Sequence, residues 1–126
     1  MALPTESQEQ CQVVEWFQLA YPTIKDCILA IPNGAHLAGT AVQRAIKMNR
    51  LKREGLRPGA ADLFLMVTRG GHAGLWVEMK RQKFVPSDVS KEQREFQVRA
   101  IEQGYQSVIC GGFEQAKEAI SLYLAQ

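Results

Sequence analysis

Asp62, Glu78 and Lys80 are the residues of this 126-residue sequence whose types and spacing could do chemistry together. Side chains alternate across a strand, so in Leu75-Trp76-Val77-Glu78-Met79-Lys80 one face carries Trp76, Glu78 and Lys80. In Asp62-Leu63-Phe64-Leu65-Met66-Val67-Thr68, Asp62 shares a face with Phe64 and Met66. If the two runs pair so that residue numbers sum to an even value near 140 or 142, Asp62 lies opposite Glu78 or Lys80; a one-residue slip separates them. Both faces are otherwise largely apolar, which places the three charges at the edge of a buried region. Ionised groups there are costly unless they are paired or bind a metal. Two carboxylates repel, and a divalent cation relieves the repulsion; hard oxygen donors suit Mg2+ or Mn2+. Such an ion acidifies a bound water and neutralises charge on a phosphoryl group. A lysine ammonium can orient the water or stabilise developing negative charge. These are the ingredients of phosphodiester hydrolysis. A Glu-x-Lys pair alone is common and reads first as a surface ion pair on an amphipathic strand, and Asp62 is what sharpens the catalytic reading.

The elements that must position these groups alternate. Thr5 or Ser7 can cap a first helix running to about Ala20, with Val13, Val14 and Phe17 at helical spacing, and Tyr21-Pro22 ends it. Cys27-Ile28-Leu29-Ala30-Ile31 reads as a short buried strand closed by the turn Pro32-Asn33-Gly34. A second helix is expected over about Leu37–Arg53, stopped by Gly55. Its stripe of Ala38, Ala41, Val42, Ala45 and Ile46 suggests tight packing on a sheet, with Arg44, Lys47 and Arg50 outward. The two strand runs named above follow Pro58-Gly59, joined by the glycine-rich loop Arg69–Gly74. Ser90-Lys91-Glu92-Gln93 has the form of a capping box and starts a third helix that stops at Gly104. Tyr105–Cys110 is a further strand, and Gly111-Gly112 leads into a last helix. The order α-β-α-β-β-α-β-α predicts an α/β fold, a mixed sheet flanked by helices, with the strands around the third helix parallel.

Composition is that of a soluble globular protein, and residues 1–126 have the length of a single domain. No apolar run is long enough to span a bilayer, and the N-terminus lacks the basic-then-apolar pattern of a signal peptide, so a cytoplasmic protein without membrane partners is expected. Cys11, Cys27 and Cys110 form no closely spaced pair, and reduced, buried thiols are expected rather than a zinc site. Net charge is only +2. Between residues 44 and 57, however, Arg44, Lys47, Arg50, Lys52, Arg53 and Arg57 stand against the single acid Glu54. Such a patch suits a phosphate backbone, or it is simply a solvated helix face. Asn33 and His36 could contact DNA or an attacking water, or merely form a turn. His72 is expected in solvent, and Trp16 and Trp76 in a core or interface rather than under stacked bases.

The motifs taken together resemble the VRR-NUC nucleases of the PD-(D/E)xK, or restriction-endonuclease-like, superfamily, in their short stand-alone form found in phages and bacteria. Gly55–Leu65 is similar to the G-[LM]-x-x-G-x-x-D-L segment, Leu75–Lys80 to the ExK strand, Ser90–Gln93 to the S-x-x-Q helix start, and Gly104-Tyr105 to the G-[YW] pair. Ile31–Gly34 is similar to the upstream N-G turn, and the likeness extends from about Thr5 to Tyr123. The resemblance implies a metal-dependent DNA endonuclease. It makes Asp62 and Glu78 metal ligands with the Met79 carbonyl, and Lys80 the catalytic lysine. It has Gln93 reaching back toward the metal or the water. A helix-one glutamate usually completes such sites; Glu6 fits best, because of its spacing to Gln10, ahead of Glu9 and Glu15. Ala61 replaces the proline of the superfamily name, which is not a ligand. The stand-alone relatives imply action on four-way (Holliday) junctions or other branched DNA, in a bacterial or phage-infected cell; a homodimer is expected because a two-fold pair makes two related cuts and cyclic dimers are the commonest oligomer. Asn33, Arg44, Lys47 and Arg50 are the candidate DNA contacts. The alternatives are a non-catalytic DNA-binding or assembly module of the same fold, or a nuclease directed at RNA.

Overall fold

Helix starts in this chain share one device. Thr5, Thr40 and Ser90 each accept a bond from the backbone N–H three residues on, and Gln8, Gln43 and Gln93 return a bond to the cap. These capping boxes satisfy otherwise orphaned N–H groups. In the computed structural model, which describes residues 2–32 and 37–126, they open α1 (Glu6–Ala20), α2 (Ala41–Arg53) and α3 (Lys91–Glu102). The remaining elements are β1 (Ile28–Ala30), β2 (Leu63–Leu65), β3 (Leu75–Lys80), β4 (Gln106–Gly111) and α4 (Phe113–Leu124). The order is the expected α-β-α-β-β-α-β-α, with 3-10 turns added at Pro22–Cys27 and Pro86–Asp88.

The sheet runs β1-β2-β3-β4. β1 pairs antiparallel with β2, β2 antiparallel with β3, and β3 parallel with β4. One face carries Leu63, Leu65, Leu75, Val77 and Met79. It buries them against Val13 and Phe17 of α1 and Ala116, Ile120 and Tyr123 of α4. The Tyr123 hydroxyl donates to Val67 O at 2.6 Å, which satisfies the polar end of a fully buried ring. On the other face Trp76 stacks on Phe64 with centroids 4.3 Å apart, and Phe96 of α3 meets Trp76 edge-on at 5.1 Å. Helices therefore cover both faces, as the double apolar pattern of β2 and β3 requires.

Three expectations are corrected. β1 is shorter than Cys27–Ile31 and only Ile28 is buried; as the edge strand it has a neighbour on one side alone. β2 pairs over Leu63–Leu65 only, not to Thr68. Among the described residues, nothing buries the apolar stripe of α2. Val42 and Ile46 are 69% and 62% exposed, and the half-buried residues of α2 are Lys47, Met48 and Leu51. The reason is competition: α1, α4 and α3 already occupy the sheet, and a stripe made mostly of alanine has little area with which to displace them.

Candidate active site

Asp62 stands one residue before β2. Its backbone is still held from the β1 side, where Ile31 N donates to Asp62 O at 2.9 Å. Its side chain crosses the other way: Met79 N donates to Asp62 Oδ2 at 2.7 Å. A carboxylate thus takes a ladder position just beyond the last β2–β3 pair, Leu63↔Val77. That register sums to 140, and continued by one residue it sets Asp62 opposite Glu78, the arrangement that clusters the carboxylates on one face.

Glu78 and Lys80 are only 6% and 8% exposed. Glu78 Oε1 is buried and has no hydrogen-bond partner. Burial pushes the Glu78 carboxyl up to about 9, helped by the hydrogen bond with Asp62 and by its charge. The Lys80 ammonium opposes that rise, and Glu6 adds a smaller push. The ion pairs among the described residues are Arg81–Asp88 and Lys91–Glu95, so Lys80 is committed to neither. Its carbonyl accepts from Gly112 N at 3.0 Å on the β4 side. Strand alternation turns the preceding Met79 carbonyl the other way, to the side where Asp62 holds the Met79 N–H.

A buried carboxylate with an orphaned oxygen, beside a second carboxylate and a backbone carbonyl, has the donor chemistry of a hard divalent cation site. Among the described residues no three Asp, Glu, His or Cys side chains gather tightly enough to hold a metal by themselves. The fit therefore rests on Asp62, Glu78 and the Met79 carbonyl rather than on a third acidic side chain.

The helix-one candidates separate by burial. Glu6 is exposed at the first turn of α1. Glu15 is exposed farther along the same helix. Glu9 is buried at 2% and acts as an anchor. Gln82 Nε2 donates to Glu9 Oε1 at 2.7 Å, and Phe113 N at the start of α4 donates to the same oxygen at 3.2 Å. Glu9 Oε2 has no partner. Glu9 thus ties α1 to the turn after β3 and to α4, a role its sequence position did not signal. Gln93 uses its side-chain oxygen for the Ser90 N–H at 2.9 Å. Its first turn touches the Asp62 loop through Gly59, where an added Cβ would overlap the Glu92 carbonyl and lie 2.7 Å from Gln93 N.

The basic candidates Arg44, Lys47 and Arg50 lie on α2. Arg44 donates to Gly39 O at 3.1 Å and Lys47 to Ala38 O at 3.0 Å, while Arg50 is exposed. Asn33 and His36 lie outside the described residues. His72 is half-buried, 6.2 Å from the Tyr123 ring, rather than in solvent. The cysteines are free as expected, but only Cys110 is buried; Cys27 is half-buried and Cys11 exposed. No helix among the described residues is long and apolar enough to cross a membrane.

Comparison with known proteins gives two findings. The family model described as "VRR-NUC domain" matches residues 4–114. A solved structure titled "VRR_NUC domain protein" superposes with a TM-score of 0.82 at 22% identity, covering 99% of this chain and 92% of that one. No curated protein matches.

Proposed function

This chain belongs to the VRR-NUC family of nuclease domains, and on that premise we propose that residues 1–126 form one Mg2+- or Mn2+-dependent DNA endonuclease domain, acting as a homodimer on four-way or otherwise branched DNA. The observation that carries the reading is Glu78, a nearly buried carboxyl with an orphaned oxygen, flanked by Asp62 and Lys80. Asp62, Glu78 and the Met79 carbonyl would hold the ion. When bound, such an ion polarises the phosphate and acidifies a water. Lys80 orients that water or stabilises charge on the phosphoryl oxygens. Glu6 reaches the same cluster through its charge, and Gln93 would approach it from the start of α3. Arg44, Lys47, Arg50 and Asn33 would contact DNA phosphates, which predicts steep salt dependence.

The dimer is supported by α2, whose exposed stripe of Ala41, Val42, Ala45 and Ile46 offers an apolar patch to a second copy. One active site makes one nick, whereas a two-fold pair makes two related cuts. The rival, a binding or assembly module without activity, has no use for carboxylates clustered where a phosphate backbone must approach. The deciding test is nicking of supercoiled plasmid with Mn2+ and with EDTA. Cleavage that EDTA abolishes supports the proposal; binding without cleavage under any divalent metal favours the rival. Parallel labelled RNA and DNA substrates decide between the two polymers.

A further inference from the structure

We propose that the cavity between α3 and the aromatic face of the sheet is a pocket for one unpaired nucleotide next to the cleaved phosphate, a site that rests on the nuclease reading and gives it a substrate class. The cavity has a volume of about 560 Å³ and is lined by Trp76, Phe96 and Tyr105, with Arg57, Arg99 and Glu92 among its other lining residues. That volume lies within the usual range for small-ligand pockets, which are mostly apolar with a few polar groups. Its position ties it to the catalytic cluster. Trp76 shares its sheet face with Glu78 and lies two residues away, roughly 7 Å along the strand. Arg57 belongs to the loop that leads through Gly59 to Asp62.

The lining chemistry selects the occupant. Trp76, Phe96 and Tyr105 are held in fixed mutual geometry, with centroids of Trp76–Phe96 at 5.1 Å and Trp76–Tyr105 at 6.3 Å, near-perpendicular and 64° respectively. A pre-set aromatic wall takes a flat heterocycle with little ordering cost. Arg57 and Arg99 enter no ion pair among the described residues. Both are exposed; Arg57 Nη1 donates to the Lys52 and Leu56 carbonyls at 3.3 and 3.1 Å, and the other N–H groups of Arg57, with those of Arg99, complement a phosphate. Glu92 can accept from a base amino group. A duplex keeps its bases stacked inside and cannot fill such a pocket. A nucleotide at a branch point, bulge or flap can.

The test is binding in EDTA, where no cleavage is possible. The probe is a short DNA duplex with a single extrahelical 2-aminopurine, compared with the fully paired duplex. The expected result is quenching of the extrahelical base and roughly tenfold tighter binding of the bulged duplex. Both should be lost in Arg57→Ala/Arg99→Ala and in Gln103→Trp, which crowds the pocket from an exposed position. Circular dichroism checks that the variants are folded. Absence of quenching in the wild type, or equal quenching in the variants, overturns the pocket. Plasmid nicking with Mn2+ is scored separately. Nicking without quenching removes the pocket and leaves the nuclease; quenching without nicking removes the nuclease and leaves the pocket.

Discussion

Glu78 is the residue on which two measurable properties converge. In an unfolded chain its carboxyl ionises near 4.5, and in the folded, metal-free protein near 9. Between those values the folded state binds the extra proton. The stabilising contribution is therefore complete below about pH 4.5 and is lost as pH rises through 9. Denaturation in EDTA across this range should show the wild type losing stability relative to Glu78→Gln, whose amide stays neutral; parallel curves would contradict the assignment. Divalent metal needs the deprotonated carboxylate, so binding at neutral pH should release a proton, visible as buffer-dependent heat in calorimetry. Asp62→Asn and Glu78→Gln should both lose Mn2+ binding and cleavage. Lys80→Ala should lose at least about 100-fold in cleavage rate while largely keeping Mn2+, because an ammonium is no ligand. Undiminished Mn2+ binding in Asp62→Asn would sink the ligand assignment.

Elements differ in how firmly the rest of the molecule holds them. Gly59 sits at φ +86 against the first turn of α3, where a methyl group meets backbone rather than a yielding side chain. Gly59→Ala should cost about 1–3 kcal/mol from the backbone conformation alone, plus whatever shift the overlap forces. Because the same loop presents Asp62, it should also weaken Mn2+ binding; a thermal melt and a metal titration equal to wild type would refute the contact. α2 is the opposite case. It is capped by Thr40 and Gln43 but buries none of its residues. A 13-residue helix of this kind is marginal in water without packing. Ile46→Asp should leave monomer stability within about 0.5 kcal/mol, as for an ordinary surface site. An unfolded or strongly destabilised Ile46→Asp monomer would mean that α2 packs within its own chain.

The whole molecule has to position two cuts if it acts on a branched substrate. Light scattering at micromolar concentration should give twice the 14.1 kDa chain mass, falling to one chain in Ile46→Asp. A wild-type mass of one chain removes the dimer. Cleavage of a four-way junction should exceed that of linear duplex and fall steeply between low and moderate salt, since phosphate contacts release counterions. Equal rates on the two substrates would remove the structural preference even if the dimer stands.

Local chemistry was legible in the sequence wherever neighbours in the chain decide the outcome. Element order followed from periodicity and turn residues, and the start of α3 from Ser90 and Gln93. The same Thr-x-x-Gln signature at Thr40–Gln43 could have moved the start of α2 from Leu37 to Ala41. The candidate cluster was legible as a conditional: strand alternation allowed Asp62 and Glu78 to meet, and only the pairing of Leu63 with Val77 selected the register in which they do. Three features needed the tertiary structure. α2 looked like a packing helix because its stripe is apolar, yet other helices had taken both sheet faces. Glu9 ranked behind Glu6 as the helix-one carboxylate, and became a buried anchor because α4 and Gln82 arrive beside it from far along the chain. The aromatic pocket joins residues from the Arg57 loop, β3, α3 and Tyr105, which no local spacing brings together. Capping and alternation act over a few residues and can be read from sequence; burial depends on which distant surfaces win the competition for the same apolar area.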